Sequence, residues 1–364
     1  MKDRAKMVVV RATEGAPSTG KSITDLSSVT TVGLDLAKHV FQVHGVDASG
    51  CVVVAKAIRR NKLLEFFAWL APCLVGLEAS GSAHHWAREL ITLGHEARMM
   101  PPAYVKPYIR RQKNDASDAS AICEAVTRPS MRFVGVRSRE NQAALMRHKA
   151  REMLVTQRTQ LLNGLRGHLT EVGVIAPQGL RCARELAELI EACDETIPFE
   201  VCEALAPLVV QLRNLDEAIA RLDRIIAKLA QKDETARRLM SVPGFGPITV
   251  SAMAATIQDT SSFAGPREFA AFLGLTPKQN SSGGKQKLGR ISKMGNRNLR
   301  KLLVVGAHAV LFHRKPHTDP LRMWAKRLLE KKPFKLVAVA LANKMARIAF
   351  AILRGKTVYR EIPT

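Results

Sequence analysis

The chain has 364 residues, 46% of them hydrophobic and 24% charged, enough apolar material for two or three cores. Lysine and arginine number 56 against 32 acids, a formal charge of +24; self-repulsion of that size opposes compaction unless a polyanion neutralises it, so nucleic acid is the first partner to consider and an anionic membrane surface the second. No apolar run approaches the roughly 18 residues of a membrane span, the N-terminus is too polar for a secretory signal, and six cysteines without a CxxC disfavour a disulfide frame or zinc site, which excludes a secreted, membrane-spanning or fibrous protein and predicts a cytoplasmic one.

Residues 1–27 are rich in Ser, Thr and Gly and read as a flexible arm. Within it, Gly15-Ala16-Pro17-Ser18-Thr19-Gly20-Lys21-Ser22 matches GxxxxGK[ST], with Met7–Val10 as a possible preceding strand. A nucleotide-binding loop needs a long helix directly afterward, and only the Ser/Thr-rich Ile23–Ser28 follows. Strands are predicted at Thr31–Leu36, Phe41–Val46 and, after the turn Asp47-Ala48-Ser49-Gly50, Cys51–Ile58. Asn61 reads as the N-cap of a helix over Lys62–Leu70. Cys73–Glu78 is a fourth strand, apolar like a buried central one. A helix over Ala83–Leu93, a short strand at Ala97–Met100, a break at Pro101-Pro102 and a helix over Ser117–Val126 complete the pattern of a mixed sheet covered by helices across residues 28–137.

Ser138–Gly173 reads as one long helix. Leu208, Leu212, Leu215, Ile219, Leu222, Ile226 and Leu229 then alternate in steps of four and three, the a/d seam of a coiled coil. That seam, in a helical segment over 138–235, pairs either between chains or with Ser138–Gly173; an ordinary core helix has the same period. The stretch Val242-Pro243-Gly244-Phe245-Gly246-Pro247 leads into a helix over Ile248–Ile257 and resembles a helix-hairpin-helix. Its glycine turn, at Gly244 and Gly246, would offer N–H groups to a phosphate, although a plain helix-to-helix turn has the same residues. From Lys278 to the C-terminus there are 21 Lys plus Arg against Asp319, Glu330 and Glu361. Most of the excess charge thus lies in less than a quarter of the chain, which reads as a phosphate-facing surface, with a solvated tail as the bland alternative. Apolar stretches at Leu302–Val310 and Leu336–Ile352 show that the region packs. With 5% aromatic residues a base-stacking platform has little support, and backbone contact with a duplex or structured RNA is the better expectation.

Two acids stand where packing alone would prefer a hydrophobe, and two more share one face of a helix start. Asp35 interrupts the apolar strand Val32-Gly33-Leu34, and Glu78 ends Leu74-Val75-Gly76-Leu77. Asp115 and Asp118 are three apart at a helix start, on one face, where they repel unless a cation offsets them. Each acid alone could cap a helix. Together, such hard oxygen donors suit Mg²⁺, and two ions about 4 Å apart could serve phosphodiester chemistry. First strand, fourth strand and a late helix are where ribonuclease-H-like nucleases carry their metal acids. Gly33-Leu34-Asp35, Gly76-Leu77-Glu78-Ala79 and Lys113-Asn114-Asp115 through Asp118-Ala119 resemble the three blocks of the DEDD insertion-sequence transposases, the insertion-sequence 110 family, with the 1111 subgroup most similar. The resemblance implies a ribonuclease-H/RuvC-like α/β domain, then a helical coiled-coil segment, then a mostly α-helical transposase domain over residues 236–364. It also implies Mg²⁺ on Asp35, Glu78, Asp115 and Asp118, with Lys113 beside them on nucleic acid.

The last domain carries Gly274-Leu275-Thr276-Pro277, Ser281-Ser282-Gly283-Gly284-Lys285, Gly289-Arg290-Ile291-Ser292-Lys293 and Met294-Gly295-Asn296-Arg297-Asn298-Leu299-Arg300. A serine beside two glycines sits on backbone that can approach a ligand closely. Lys285, Lys287, Arg290 and Lys293, with Arg297 and Arg300, suit a phosphate. No histidine or acid lies in the block, so the serine would be activated from elsewhere; read from residue types alone, a flexible phosphate-binding loop fits as well. The block is similar to the family's transposase domain, whose serine precedes a glycine: Ser282 matches, with Ser281 as the alternative register. The resemblance implies that this serine attacks DNA to give a phosphoserine intermediate, and that serine and acids meet between protomers of a dimer or tetramer. It further implies a structured guide RNA pairing with donor and target double-stranded DNA, while the protein reads backbone. Two readings compete: a metal-dependent junction nuclease in which the serine is structural, and a non-catalytic nucleic-acid-binding protein. His308, His313 and His317 are interrupted by Pro316 and read as phosphate contacts or a solvated face, and His84-His85 as helix-surface histidines.

Overall fold

Strict alternation through β1 (Thr31–Asp35) buries Val32 and Leu34 completely on one face of a sheet and leaves Gly33 and Asp35 on the other. In the computed structural model, which describes residues 25–109, 115–175, 179–312 and 319–360, β1 pairs antiparallel with β2 (Val40–Val46), and β2 with β3 (Val52–Arg59). After α1 (Leu63–Trp69) the chain enters β4 (Leu74–Glu78), parallel to β1; α2 (Ala83–Thr92) and β5 (Glu96–Met100) follow. The strand order is β3-β2-β1-β4-β5, the mixed sheet of a ribonuclease-H/RuvC-like domain. Phe41, Val75, Leu77, Phe67, Trp86 and Leu90 bury the face under α1 and α2, each large side chain contributing roughly 2 kcal/mol. After α3 (Pro102–Val105), α4 (Asp115–Val126) covers the opposite face, with Ile122 and Val126 over Leu74.

Several local expectations are corrected. A 3-10 turn, Arg60–Lys62, puts Lys62 rather than Asn61 at the start of α1, without a side-chain cap. Asp25, placed by composition in the arm, caps the 3-10 turn Leu26–Ser28, and Leu26 packs on the sheet's core. The last helix of the unit begins at Asp115 rather than Ser117. The P-loop-like segment, Met7–Val10, Lys113, Asn114, His313 and His317 lie outside the described residues.

The chain divides into two compact units, residues 1–137 and 138–364. In the second, Ser138 caps α5 (Arg139–Glu171) by accepting from the Asn141 N–H, 3.2 Å. Next come α6 (Leu180–Glu191) and α7 (Phe199–Lys232), which continues through Pro207. α5 and α7 pack antiparallel within the chain, with Arg158 on Asp216 at 2.8 Å and Arg151 on Asp223. Of the periodic seam, Leu212, Leu215, Ile219 and Ile226 are buried, Leu208 and Leu222 half-buried, and Leu229 exposed. Then follow α8 (Glu234–Met240), α9 (Pro247–Thr256), α10 (Pro266–Phe272), the two-stranded hairpin β6 (Pro277–Gln279) and β7 (Leu288–Ile291), α11 (Arg297–Phe312), α12 (Pro320–Leu329) and α13 (Phe334–Gly355). One further correction concerns α13: by length and composition it is apolar enough to cross a bilayer. Val337, Leu341, Met345 and Phe350 nevertheless bury one side of it in this unit's core, as in a soluble core helix.

Candidate active site

β1 and β4 carry the same tetrad, Val32-Gly33-Leu34-Asp35 and Val75-Gly76-Leu77-Glu78, and parallel pairing sets them in register: Val32 opposite Val75, Gly33 opposite Gly76, Leu34 opposite Leu77. Both acids therefore end adjacent strands on the α4 side of the sheet. The glycines let α4 come close. A Cβ at Gly33 would stand 2.0 Å from the Ala119 carbonyl oxygen and 2.4 Å from the Cys123 nitrogen; one at Gly76 would stand 2.8 Å from the Val126 Cβ. With the helix seated there, its first turn delivers Asp115 and Asp118 to Asp35, and one carboxylate oxygen from each of the three lies within 4.8 Å of the others.

This crowding is electrostatically unfavourable without a counter-ion. Burial first, then the charges of Asp118, Asp115 and Glu78, push the Asp35 carboxyl up to about 6. Burial and Asp118 also raise Glu78. Glu78 stands outside the tight triad but within its electric field. Asp118 Oδ1 is buried with no hydrogen-bond partner among the described residues, an orphaned acceptor that a cation would satisfy. The donor set is all carboxylate oxygen, which suits a hard divalent cation such as Mg²⁺ rather than zinc. His84 accepts the Arg137 N–H at 3.2 Å, and His85 lies 3.6 Å from Glu89 on the helix surface.

A second candidate site lies in the other unit, on the hairpin. Gly283 and Gly284 have φ of +56° and +75°, and Lys285 N–H donates to Ser282 O at 3.1 Å. Two successive left-handed residues make the tight turn whose twist suits a hairpin. Ser281 is used within the hairpin, its Oγ accepting the Lys287 N–H at 3.1 Å. Ser282 is exposed at the mouth of the turn, and its hydroxyl makes no hydrogen bond among the described residues. Lys285, Lys287, Arg290, Lys293 and Arg297 are all exposed. Arg300 differs: its guanidinium donates to the carbonyls of Leu273 (2.9 Å) and Met294 (3.1 Å), clamping the base of the hairpin. Gly274 and Gly295 complete the clamp, since a Cβ on either would overlap a backbone oxygen, of Met294 and Phe272 respectively.

The turn at residues 242–247 separates its two glycines. Gly244, at φ +84°, is packed against α11, where a Cβ would meet Gly306 O at 2.6 Å. Gly246 is exposed, with open space around it. Sequence reasoning missed the load on Gly33, Gly76, Gly274 and Gly295. The duplicated Val-Gly-Leu-acid tetrad was a usable signal for the first two; the last two carried none beyond being glycines.

An α/β domain with an acid cluster at the ends of its central parallel strands, joined to a basic helical unit with an exposed serine hairpin, defines a protein of the DEDD transposase class. Residues 32–174 match the DEDD transposase family of IS110 type, and residues 236–321 match the family described as Transposase IS116/IS110/IS902. The chain is 48% identical to a probable family 20 transposase of Pseudomonas aeruginosa, over 92% of this chain and 99% of that protein. It is 38% identical to the transposase for insertion sequence element IS1111A of Coxiella burnetii, over 92% of each, and 36% identical to that for IS1328 of Yersinia enterocolitica, over 92% of this chain and all of the relative. The chain belongs to the IS110 family of insertion-sequence transposases, enzymes that act on DNA.

Proposed function

We propose that this transposase cuts and rejoins double-stranded DNA with two chemical centres: a Mg²⁺-binding quartet of Asp35, Glu78, Asp115 and Asp118, and a nucleophilic Ser282. The reading rests above all on the convergence of Asp35, Asp115 and Asp118 around the orphaned Oδ1 of Asp118. Divalent ions held there would neutralise charge on a scissile phosphate and favour an ionised oxygen nucleophile or leaving group. Asp35 and Glu78 from the strand ends, with Asp115 and Asp118 from the first turn of α4, would hold those ions. At the hairpin, Ser282 Oγ attacks phosphorus, forming a phosphoserine ester as a deoxyribose oxygen leaves with the electron pair of its bond. The hydroxyl proton passes to a base outside the hairpin, because residues 274–300 contain no acid or histidine. Lys285, Lys287, Arg290 and Lys293 stabilise the added negative charge. That Ser281 is engaged and Ser282 is not favours Ser282 as the nucleophile.

A structured guide RNA accounts for sequence choice, consistent with a chain whose charge favours backbone contact over base reading. The chain works as a homo-oligomer, dimer or tetramer, through surfaces other than the α7 seam, most of which is already buried within the chain. The test has two arms. On a DNA substrate with Mg²⁺, Ser282→Ala should abolish the covalent protein–DNA adduct seen on a denaturing gel, and Asp118→Asn should abolish cleavage. An Ser282→Ala variant that still joins strands would reduce the protein to a metal-only nuclease. Nucleic acid extracted from the purified protein should be one discrete RNA encoded beside the gene; random fragments would remove the guide from the account.

A further inference from the structure

Behind the hairpin lies a cavity of about 870 Å³, walled by β7 on one side and α13 on the other. Its volume is in the range of small-molecule and cofactor sites. Leu275, Trp324 and Leu336 contribute apolar lining, and Arg290, Lys344 and Arg347 line it as well. Those three cations have no ion-pair partner among the described residues. Lys344 lies 4.3 Å over the Trp324 ring, partly withdrawn from water; burial first, then Arg347, disfavour its charge, while the Asp319 carboxylate favours it. Asn343 donates Nδ2–H to Leu275 O at 3.1 Å, which fixes the amide and leaves its oxygen as an acceptor. An apolar slot with an oriented amide and three cations that form no ion pair among the described residues suits a ligand with a flat base at one end and a phosphate at the other.

We infer that this cavity receives an unpaired nucleotide of the strand held at the hairpin, its base against the apolar lining at Leu275 and Leu336 and its phosphate on Arg290, Lys344 and Arg347. The inference rests on the reading of the Ser282 hairpin as a DNA-processing element. Because β7 is both a wall of the cavity and the strand returning from Ser282, a nucleotide seated there would fix where the adjoining phosphodiester meets the serine. Strand opening near the cut would then be part of recognition rather than a by-product of it.

The test uses the full-length protein, stripped of co-purifying nucleic acid, and single-stranded oligonucleotides carrying 2-aminopurine at successive positions. Ala351→Trp fills the cavity from its exposed side, and Arg347→Gln removes a cation from its lining. One position should show a fluorescence change on binding, and each variant should remove that change and weaken binding by about tenfold, the effect expected from one lost base or phosphate contact. Unfolding midpoints equal to wild type must accompany the loss. If both variants bind as wild type does, with no position sensitive to them, the cavity assignment is overturned, while a Ser282-dependent adduct would leave the hairpin reading standing. If no adduct forms even with the wild-type protein, that reading fails separately. If Ala351→Trp instead lowers the mass in light scattering and leaves the fluorescence unchanged, the cavity is a contact between protein chains and the nucleotide proposal is wrong.

Discussion

At Gly33 a single methyl group would have to share space with the Ala119 carbonyl, 2.0 Å away, and with the Cys123 amide nitrogen. Both neighbours are helix backbone, so α4 itself must move. Gly33→Ala should destabilise the first unit by about 1–3 kcal/mol in urea titration, and should lower cleavage far more than that loss of stability explains, because α4 carries Asp115 and Asp118. The acids show a second effect of residue placement. Asp35 has its folded carboxyl raised from 3.8 to about 6, so between those values the folded state holds more protons than the unfolded one. Its contribution is present at low pH and lost as pH rises through about 6. His148 works in the opposite sense: burial and the nearby Arg151 and Arg147 push its imidazole down to about 4, and it bonds to Ser251 at 3.1 Å, so its contribution is lost as pH falls through that window. The two are separated by difference. Metal-free wild type minus Asp35→Asn should show a stability gap that widens against the wild type from pH 4 to 6.5 in thermal melts, and Mg²⁺ should close it at pH 7.5. A gap independent of pH would show that Asp35 is not strained by its neighbours. Asp35 and Glu78 stood out because a carboxylate in an apolar run breaks a pattern, and Asp115 and Asp118 because two acids three apart at a helix start share one face; the glycines that seat α4 did not, because a missing side chain leaves no trace except a duplicated tetrad.

Elements with a clear period were the readable ones. β1, β2, β3, β4 and β5 lie within a residue or so of where the sequence pattern put them, β4 by its continuous apolar run, and α5 within two residues of its expected ends, because Ser138 supplies a cap and Gly173, at φ +83°, follows its end. α6 and the first turns of α7 escaped the sequence: Pro198 and Pro207 flank or interrupt them, and their burial is shared among three helices around Leu165, Ile190 and Leu205. The hairpin was seen only as a Ser/Gly block, since β6 and β7 are three and four residues long and expose nearly everything. Its rigidity comes from the base rather than the strands. Arg300→Ala removes two hydrogen bonds and leaves the Leu273 and Met294 carbonyls without that donor. We expect a loss of about 1–3 kcal/mol in unfolding of the second unit, with adduct formation falling at unchanged Lys285 and Lys287. Lys287→Ala should do the reverse, keeping the unfolding midpoint and weakening nucleic-acid binding. Equal effects of the two substitutions on stability would contradict the division of this arginine from its basic neighbours.

Across the whole chain, the excess of positive charge has consequences that no single contact shows. Two-thirds or more of it lies beyond Lys278, in a segment whose apolar residues are used to pack α11 and α13. The cations are therefore displayed on a packed unit rather than strung along a tail. A displayed array of this kind binds phosphates by releasing condensed counterions, so affinity should fall linearly on a plot of logarithm against logarithm as salt rises. The slope counts the phosphates engaged. Removing one exposed cation of the hairpin, Lys285 or Lys287, should reduce that slope by about one and weaken binding to unrelated sequences alike. Removing Arg300 should leave the slope unchanged, since its charge faces two backbone carbonyls. Fluorescence anisotropy of a labelled duplex from low to physiological salt measures both. A slope that ignores Lys285 and Lys287 would move the nucleic-acid surface off the hairpin, and with it the phosphate on which Ser282 is proposed to act.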